Sequence, residues 1–332
     1  MTPDVVELAA RMMEIDSTSG REGPLVDWLE SYLAGLDWRV QRIPVSPGRD
    51  DLLATFGDAH EVTLSTHLDT VPPFIPPRIA DGRLWGRGAC DAKGIAAAMI
   101  AAALELRDLQ VPVGLLFVVG EEVSHDGAIA ANGFPTTSRV LINGEPTENA
   151  LATGTKGAMR LTLRTSGQAA HSAYPHLGRS AIATLARLLV ELETLPLPGD
   201  EHLGDTTINV GAISGGVADN VVAPWAEARL MARLVTPPHA LLEVLDRWLD
   251  GRGTLEPGIT VPFVRLGGLP GFASTVAAYA TDIPELTRWG TPYLFGPGSI
   301  HVAHRDDEHV SLAELRQAPE LYVRIARDAL TR

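Results

Sequence analysis

Several acidic residues and a histidine stand where apolar stretches of this sequence end. His67 and Asp69 close one apolar run, and Glu121 and Glu122 close another. Asp91 follows a glycine-rich segment and precedes an alanine-rich one. Imidazole nitrogens and carboxylate oxygens bind zinc-type ions and transfer protons in catalysis. These positions therefore predict a site for metal-assisted acid–base chemistry.

Two further residues with the same chemistry lie beside residues typical of sharp turns. Glu145 is flanked by Gly144 and Pro146, and His304 follows the segment Gly296-Pro297-Gly298. Taken singly, each candidate has an ordinary reading as a solvated loop residue, a helix N-cap or an exposed strand-end acid. Taken together, they supply the two imidazoles and three carboxylates that two zinc-type ions sharing one carboxylate require: His67, Asp91, Glu122, Glu145 and His304.

Spacing within these segments indicates how their roles divide. His67 and Asp69 are two apart at the end of a predicted strand, so both side chains point the same way and Asp69 could hold the second imidazole nitrogen. Neighbouring side chains in a strand point apart, so of Glu121 and Glu122 one could bind a cation while the other acts as general base. Asp91 lies at or just before a helix start, where its carboxylate could bridge two cations or cap the helix.

Apolar runs that alternate with helical patterns position these residues. The predicted elements are strands at 61–68, 113–119, 140–142 and 293–295, and helices at 1–15, 24–33, 94–109 and 312–330. Strands that are apolar throughout indicate a sheet buried on both faces, and ligands collect outside the strand ends of such α/β layers. The candidate residues lie where a site is expected.

From about residue 154 the character of the sequence changes. Half-exposed strands are predicted at 158–165 and 207–213, with helices at 180–195 and 240–249. We therefore expect an inserted α+β domain over 154–260. Residues 1–153 and 261–332 would form the catalytic metal-binding α/β domain.

Composition limits the class of protein. The chain has 332 residues, 45% of them hydrophobic, which indicates a globular protein with more than one domain. A net charge of −14 disfavours nucleic acid and anionic membrane as partners. The longest apolar stretch, 95–104, is half as long as the roughly 20 residues that a membrane span needs. With a single cysteine, Cys90, and no export signal, we expect a cytoplasmic protein.

The motifs of the first domain, read together, resemble those of the M20 metallopeptidase family, which includes acetylornithine deacetylase and succinyl-diaminopimelate desuccinylase. The matching segments run in order along nearly the whole chain: His67-Leu68-Asp69-Thr70, 86–94, Gly120-Glu121-Glu122, Gly144-Glu145-Pro146 and 296–304. The resemblance implies an α/β zinc-peptidase-like catalytic domain, with a central mixed sheet flanked by helices, and an inserted α+β lid and dimerisation domain.

The resemblance also implies a ligand set for two divalent metal ions, zinc by preference, with cobalt or manganese as alternatives. Its members are His67 and Glu145 for one ion, Glu122 and His304 for the other, and Asp91 as the bridge between them. His304 is chosen over His301 because, in the family's terminal motif, the metal-binding histidine is followed three and four residues later by two acids, here Asp307 and Glu308.

Two other residues of this domain would assist catalysis without binding a metal. By the resemblance, Asp69 would orient the imidazole of His67. Glu121 would be the general base, which removes a proton from a water activated by the ions and then delivers it to the leaving amine. The activity implied is hydrolysis of an amide bond.

The inserted domain resembles the family's lid and dimerisation domain at 167–172 and 215–220. His171 would reach the active site of the partner in a homodimer and stabilise the oxyanion of the tetrahedral intermediate. Asn220 and Arg233 would bind a substrate carboxylate. The chain departs from the family at Met231, where an aspartate is usual, so the orientation of Arg233 is left open.

A small N-acyl-L-amino acid is the expected substrate. Glu145 resembles the deacylase and carboxypeptidase branch of the family, whereas aminopeptidases and dipeptidases tend to have aspartate there; such a peptidase is the alternative among enzymes. The segment 69–79 also resembles hydrolases that release lysine or ornithine from an acidic carrier protein, a partner that the charge of −14 disfavours. Outside the enzymes, the alternative is an inactive metal-binding protein on the same fold.

Overall fold

The structure, a computed structural model, describes residues 3–57 and 59–332. The first two residues of the predicted helix 1–15 lie outside this range. Contacts between Cα atoms divide the described chain into two compact units. The first contains the residues up to Thr153, Leu266–Thr275 and Thr281–Arg332; the second contains Gly154–Arg265 and Val276–Ala280.

The helices of the described residues, in chain order, are α1 (Val5–Met13), α2 (Gly23–Ala34), α3 (Lys93–Asp108), α4 (Asp126–Asn132), α5 (Ala181–Leu192), α6 (Pro238–Leu249) and α7 (Leu312–Leu330). The strands are β1 (Arg39–Ser46), β2 (Arg49–Thr55), β3 (Val62–His67), β4 (Arg78–Ala80), β5 (Arg83–Trp85), β6 (Val113–Val118), β7 (Val140–Asn143), β8 (Leu151–Thr155), β9 (Gly157–Ser166), β10 (Gly199–Asp200), β11 (Gly204–Asp205), β12 (Thr207–Gly215), β13 (Trp225–Leu234), β14 (Thr254–Val261), β15 (Val264–Arg265), β16 (Ser274–Ala277), β17 (Thr291–Leu294) and β18 (His309–Ser311).

The first unit is built on a mixed sheet in which neighbouring strands follow the order β1-β2-β6-β3-β7-β17-β8. The central strands β6, β3, β7 and β17 are parallel, whereas β1 and β2 pair antiparallel at one side. Every residue of β3, β6 and β7 is buried. The predicted elements β3, α3, β6 and β7 agree with the structure within one residue at each end.

Both faces of this sheet are covered by helices. Leu115 and Phe117 of β6 belong to the apolar cluster that contains α1, α3 and α7, while Leu116 and Val118 belong to a second cluster that includes α4. The alternation follows from the period of two in a strand. A β-carbon on Gly144 would lie only 2.4 Å from the side chain of Ile95, so the alanine-rich α3 packs directly on the chain that leads into Glu145.

The second unit has its own antiparallel sheet, with strands in the order β12-β13-β9-β14. Alternate residues of β9 and β13 are buried against α5 and α6. β12 is an edge strand, and nearly all of it is exposed. Residues 261–265, which the sequence analysis placed in the first domain, belong to this unit, because β15 pairs with the Gly154-Thr155 end of β8.

No helix within residues 3–57 and 59–332 is long and apolar enough to cross a membrane. The longest apolar stretch of the sequence, which was compared with the length of a membrane span, lies in α3, and α3 has 16 residues.

Candidate metal centre

The candidate residues of the first unit follow the ends of parallel strands. His67 is the last residue of β3, and Glu121 and Glu122 come shortly after β6. Glu145 follows β7, and the loop leading to His304 follows β17. Because parallel strands end at the same edge of a sheet, the chain delivers all these side chains to one region.

The carboxylate of Asp91 lies between two imidazoles. Its Oδ1 is 2.9 Å from Nε2 of His67, and its Oδ2 is 3.2 Å from Nε2 of His304. The same nitrogen of His304 is 3.0 Å from Oε1 of Glu122. The side chains of Asp91 and Glu122 are buried, whereas that of His304 is 49% exposed. Asp91 thus presents one oxygen to each histidine, an arrangement compatible with a carboxylate shared by two cations.

The pKa values of Asp91 and His304 differ strongly from their ordinary values. Desolvation would raise the pKa of Asp91, but hydrogen bonds from His304 and His67 outweigh it and the net pKa is lowered. The hydrogen bonds of His304 to Asp91 and then to Glu122 raise its pKa to about 10. The buried carboxylates therefore favour positive charge on the atoms that face them, which is the property a cation site needs.

Glu121 and Glu145 add two more carboxylates to this region. Burial raises the pKa of both, and the charge of Glu121 raises the pKa of Glu145 further. Glu145 is 4% exposed. Such a concentration of buried acids is costly unless cations or protons compensate it, so the donor set fits a pair of divalent ions.

Asp69 contacts the imidazole of His67 and also holds a second segment of the site. β3 ends at His67, so the period of two does not extend to Asp69, and it is the backbone carbonyl of Asp69 that lies 2.9 Å from Nδ1 of His67. Its carboxylate Oδ1 is 3.5 Å from that nitrogen. The carboxylate also accepts hydrogen bonds from the N–H groups of Glu121 and Glu122, at 3.1 and 3.2 Å, and from the hydroxyl of Ser19 at 2.8 Å. Asp69 therefore fixes the backbone that carries both glutamates.

The loop before α3 is held by a residue for which the sequence analysis predicted no role. Glu308 is fully buried and accepts hydrogen bonds from the N–H groups of Gly88, Cys90 and Asp91, at 2.9, 3.3 and 3.3 Å. It also pairs with the guanidinium of Arg87. The helix-cap interpretation of Asp91 is wrong, because the N-cap is Ala92 and no side chain caps the helix. The acid pair after His304 was the only sequence signal for Glu308.

The turn that carries the two glutamates begins at Gly120. Its φ is +77°, and a β-carbon there would lie 2.1 Å from Oδ1 of Asp126 and 2.5 Å from Nη2 of Arg49. Arg49 pairs with both Asp126 and Glu22, so it ties the start of α4 to the start of α2. A glycine is therefore required both by the backbone conformation and by the ion pair beside it.

The remaining candidates lie in the second unit. His171 and Asn220 are on adjacent segments: a bridge joins His171 to Val221, and the carbonyl of Asn220 accepts a hydrogen bond from the N–H of Ser172 at 3.0 Å. Both side chains are exposed, and Nδ1 of His171 accepts from the N–H of Ala173. Arg233 lies apart from them in sequence, on β13, where its backbone pairs with β9 and β12.

Comparison with protein families gives two matches that together span most of the chain. Residues 63–201 match the model described as peptidase family M20/M25/M40. Residues 153–251 match the model described as a peptidase dimerisation domain.

Related sequences and solved structures agree with these matches. A peptidase M20 domain-containing protein of Schizosaccharomyces pombe is 38% identical over 97% of this chain and 84% of its own length. A probable carboxypeptidase of Aspergillus fumigatus is 36% identical over 97% of this chain and 86% of its length. A tripeptidase of Staphylococcus aureus has a TM-score of 0.80 at 20% identity, covering 98% of both chains. An M20 family metallo-carboxypeptidase of Sulfolobus solfataricus has a TM-score of 0.77 at 16% identity, covering 99% of this chain and all of that one.

Proposed function

Because the chain belongs to the M20 family of peptidases, we propose that it hydrolyses an amide bond whose nitrogen belongs to an amino acid with a free carboxylate. Two substrate types contain such a bond: a small N-acyl-L-amino acid, and a peptide from which the C-terminal residue is released. The observation that carries the proposal is the buried carboxylate of Asp91 between His67 and His304, with Glu121 held close by.

Two divalent metal ions, zinc first and cobalt or manganese as alternatives, would be held by these residues. The proposed ligands are His67 and Glu145, Glu122 and His304, with Asp91 shared. When bound, such ions lower the pKa of a water molecule and polarise the carbonyl of the scissile amide. Imidazole nitrogen and carboxylate oxygen are the donors that zinc accepts, and the site offers both.

The protein's own groups would then move the proton. Glu121 accepts a proton from the attacking water and transfers it to the departing amide nitrogen, so that one water and one amide yield an acid and an amine. Burial raises the pKa of Glu121, which suits a group that must first take and then release a proton. The N–H bonds to Asp69 keep the Glu121 backbone in place during both transfers.

The second unit would complete the site in a homodimer. We propose that His171 of one protomer stabilises the oxyanion formed in the site of its partner, and that Asn220 and Arg233 bind the free carboxylate of the substrate. The match to a dimerisation domain supports the dimer. The exposed edge strand β12, with Ile213 62% exposed, provides a surface that a second copy could cover.

The choice of substrate type has two supports. The sequence relatives above include a probable carboxypeptidase. Glu145 occupies the position at which the deacylase and carboxypeptidase branch has glutamate. An aminopeptidase or dipeptidase, which would recognise a free amine instead, is the second candidate because the structural neighbours include a tripeptidase. Hydrolysis of a carrier-protein conjugate remains a weaker alternative, since both partners would be acidic.

A substrate panel tests this proposal. Acetyl-, succinyl- and formyl-amino acids, N-blocked dipeptides and free dipeptides are incubated with protein reloaded with zinc or cobalt, and with a chelated sample. We expect metal-dependent release of the amino acid from a blocked substrate. Cleavage of free dipeptides alone would favour the second candidate, and no cleavage of any member would refute the proposal.

The role of Glu121 is tested by Glu121→Gln. This variant should retain the metal content of the wild type and lose most of its turnover, by about 100-fold or more. Glu105→Gln, an exposed acid on α3, is the matched control and should be fully active. Full activity of Glu121→Gln would show that another group is the base.

A further inference from the structure

A second set of potential metal ligands lies beside the proposed general base. One ring nitrogen of His125 and one carboxylate oxygen each of Glu121 and Asp282 lie within 4.8 Å of one another. Nδ1 of His125 is 2.8 Å from Oδ1 of Asp282. This separation resembles the imidazole–carboxylate separations of 2.9 and 3.0 Å in the proposed metal centre. The cluster therefore has the same donors at the same spacing as the site already described.

The surroundings of this cluster are acidic. Two carboxylates and one imidazole meet in it, and Asp282 is 1% exposed. The strongest charges acting on His125 come from Asp282, Glu285 and Asp69, all of them carboxylates. Asp51, also fully buried, adds a further carboxylate whose Oδ2 has no hydrogen-bond partner among the described residues. Carboxylates predominate around this imidazole, so a divalent cation bound among them is electrostatically favoured.

Residue 125 has a left-handed backbone conformation, which histidine adopts more often than most other side chains. Its φ is +56°, in the left-handed region that glycine and asparagine adopt most readily. A histidine there costs about 1 kcal/mol of backbone strain. The side chain makes no cap hydrogen bond to α4, and its observed partner is the carboxylate of Asp282. The imidazole is thus directed at Asp282 and not at the backbone of α4.

We propose that Glu121, His125 and Asp282 bind an additional divalent cation, zinc in preference, and that this third ion inhibits the enzyme. Two carboxylate oxygens and one imidazole nitrogen form a set that zinc accepts with an open position. An ion bound there occupies the carboxylate of Glu121, which can then no longer accept a proton from water. The inhibition rests on the proposed function of Glu121; the binding does not.

Zinc stoichiometry tests the binding. Equilibrium dialysis at rising free zinc is carried out on wild type, His125→Asn and the control His239→Asn, which removes an exposed histidine of the second unit. Asparagine tolerates the left-handed backbone, so the fold of His125→Asn should be retained. We expect three equivalents in wild type and in the control, with the weakest lowered in affinity by about tenfold or more in His125→Asn. Two equivalents in wild type, or three unchanged in His125→Asn, would overturn the site.

Steady-state rates test the inhibition. Excess zinc should slow wild type and His239→Asn equally, whereas His125→Asn should require about tenfold or more zinc for the same inhibition. Equal inhibition of wild type and His125→Asn would overturn the regulatory role. If the wild type hydrolyses none of the panel substrates, the proposed function fails, while the stoichiometry still decides whether the third ion binds.

Discussion

Replacing Glu308 with glutamine should weaken both the fold and the metal centre, although Glu308 is not proposed to touch a metal. Its carboxylate accepts three backbone N–H groups around Asp91 and pairs with Arg87. Glutamine keeps the shape and one acceptor oxygen but places an amide donor beside the guanidinium. Arg87 is 2% exposed, and its Nη2 already has no partner among the described residues.

The size of the effect follows from this burial. Removing one member of a buried ion pair costs about 3–5 kcal/mol, because the other charge stays buried without compensation. Desolvation raises the pKa of Glu308 despite Arg87, so the pair itself adds little net stability. The penalty therefore comes from the orphaned arginine. The one oxygen that accepts the three N–H bonds becomes a neutral and weaker acceptor, so the residue 88–91 backbone is held less firmly and metal affinity should also fall, by about 10-fold.

Urea unfolding of the chelated protein and zinc titration with a competing chelator measure the two effects. Asp307→Asn is the matched control: its pair with Arg305 is exposed on both sides and should contribute under about 1 kcal/mol. Adding Arg87→Met to Glu308→Gln should recover part of the lost stability, because the buried charge is gone. If Glu308→Gln and Asp307→Asn have equal stability and equal zinc affinity, this account of the loop is wrong.

Three further changes test other parts of the first unit. Burial lowers the pKa of Lys93 to about 8, below its unfolded value of about 10.4. Between these two pH values the unfolded state binds more protons than the folded state. The free energy of unfolding should therefore rise by about 3 kcal/mol from pH 8 to 10.4. Gly120→Ala should destabilise the protein by about 1–3 kcal/mol and reduce turnover, because the new methyl group collides with Asp126. Ser19→Ala should cost about 1–2 kcal/mol and lower kcat, because Asp69 loses a 2.8 Å hydrogen bond.

Each of these changes has its own comparison. Urea unfolding of Lys93→Met should lack the rise with pH, and an identical pH dependence in both proteins would exclude Lys93 as its source. Gly82→Ala shares the positive φ but meets no atom within 4 Å, so it isolates the backbone cost; equal losses at both glycines would remove the steric argument. Ser31→Ala deletes an exposed hydroxyl and should leave stability and kcat near wild type.

Much of the catalytic unit could be predicted from the sequence. The M20 family and the α/β fold with a central mixed sheet are confirmed. Fully buried parallel strands leave a continuous apolar run, and the polar residues that end each run are conspicuous. The convergence of His67, Asp91, Glu122 and His304 follows from that topology. Their roles as metal ligands, the same role for Glu145, and the substrate-binding roles of Asn220 and Arg233 stay predictions.

Other strands could not be predicted well from the sequence. β13 consists largely of alanine, arginine, leucine and methionine, which favour helices, yet it pairs along its whole length with β9 and is also paired with β12. Tertiary pairing overrides propensity there. β1 lies at the edge of the sheet, where mixed exposure hides any period of two.

Contacts between distant segments were also beyond sequence reasoning. The bonds from Asp69 to the backbone of Glu121 and Glu122 depend on how the chain turns after β3. Glu308 reaches N–H groups more than 200 residues away, which no local pattern reveals. The cluster of His125 and Asp282 is likewise formed by the fold, since 157 positions separate the two residues.

The paired entry and exit of the second unit affect the order in which the chain can fold. Gly154 is paired with Arg265, and Thr155 with Val264, so the main segment of the unit, Gly154–Arg265, begins and ends on adjacent strands. Closing an unfolded loop of roughly 110 residues costs roughly 3 kcal/mol more than closing a hairpin loop. If the second unit folds first, its two ends are already adjacent, and β17 and α7 are brought near β7 without that entropic penalty. Folding of the inserted unit should therefore accelerate completion of the parallel sheet, and with it assembly of the metal centre.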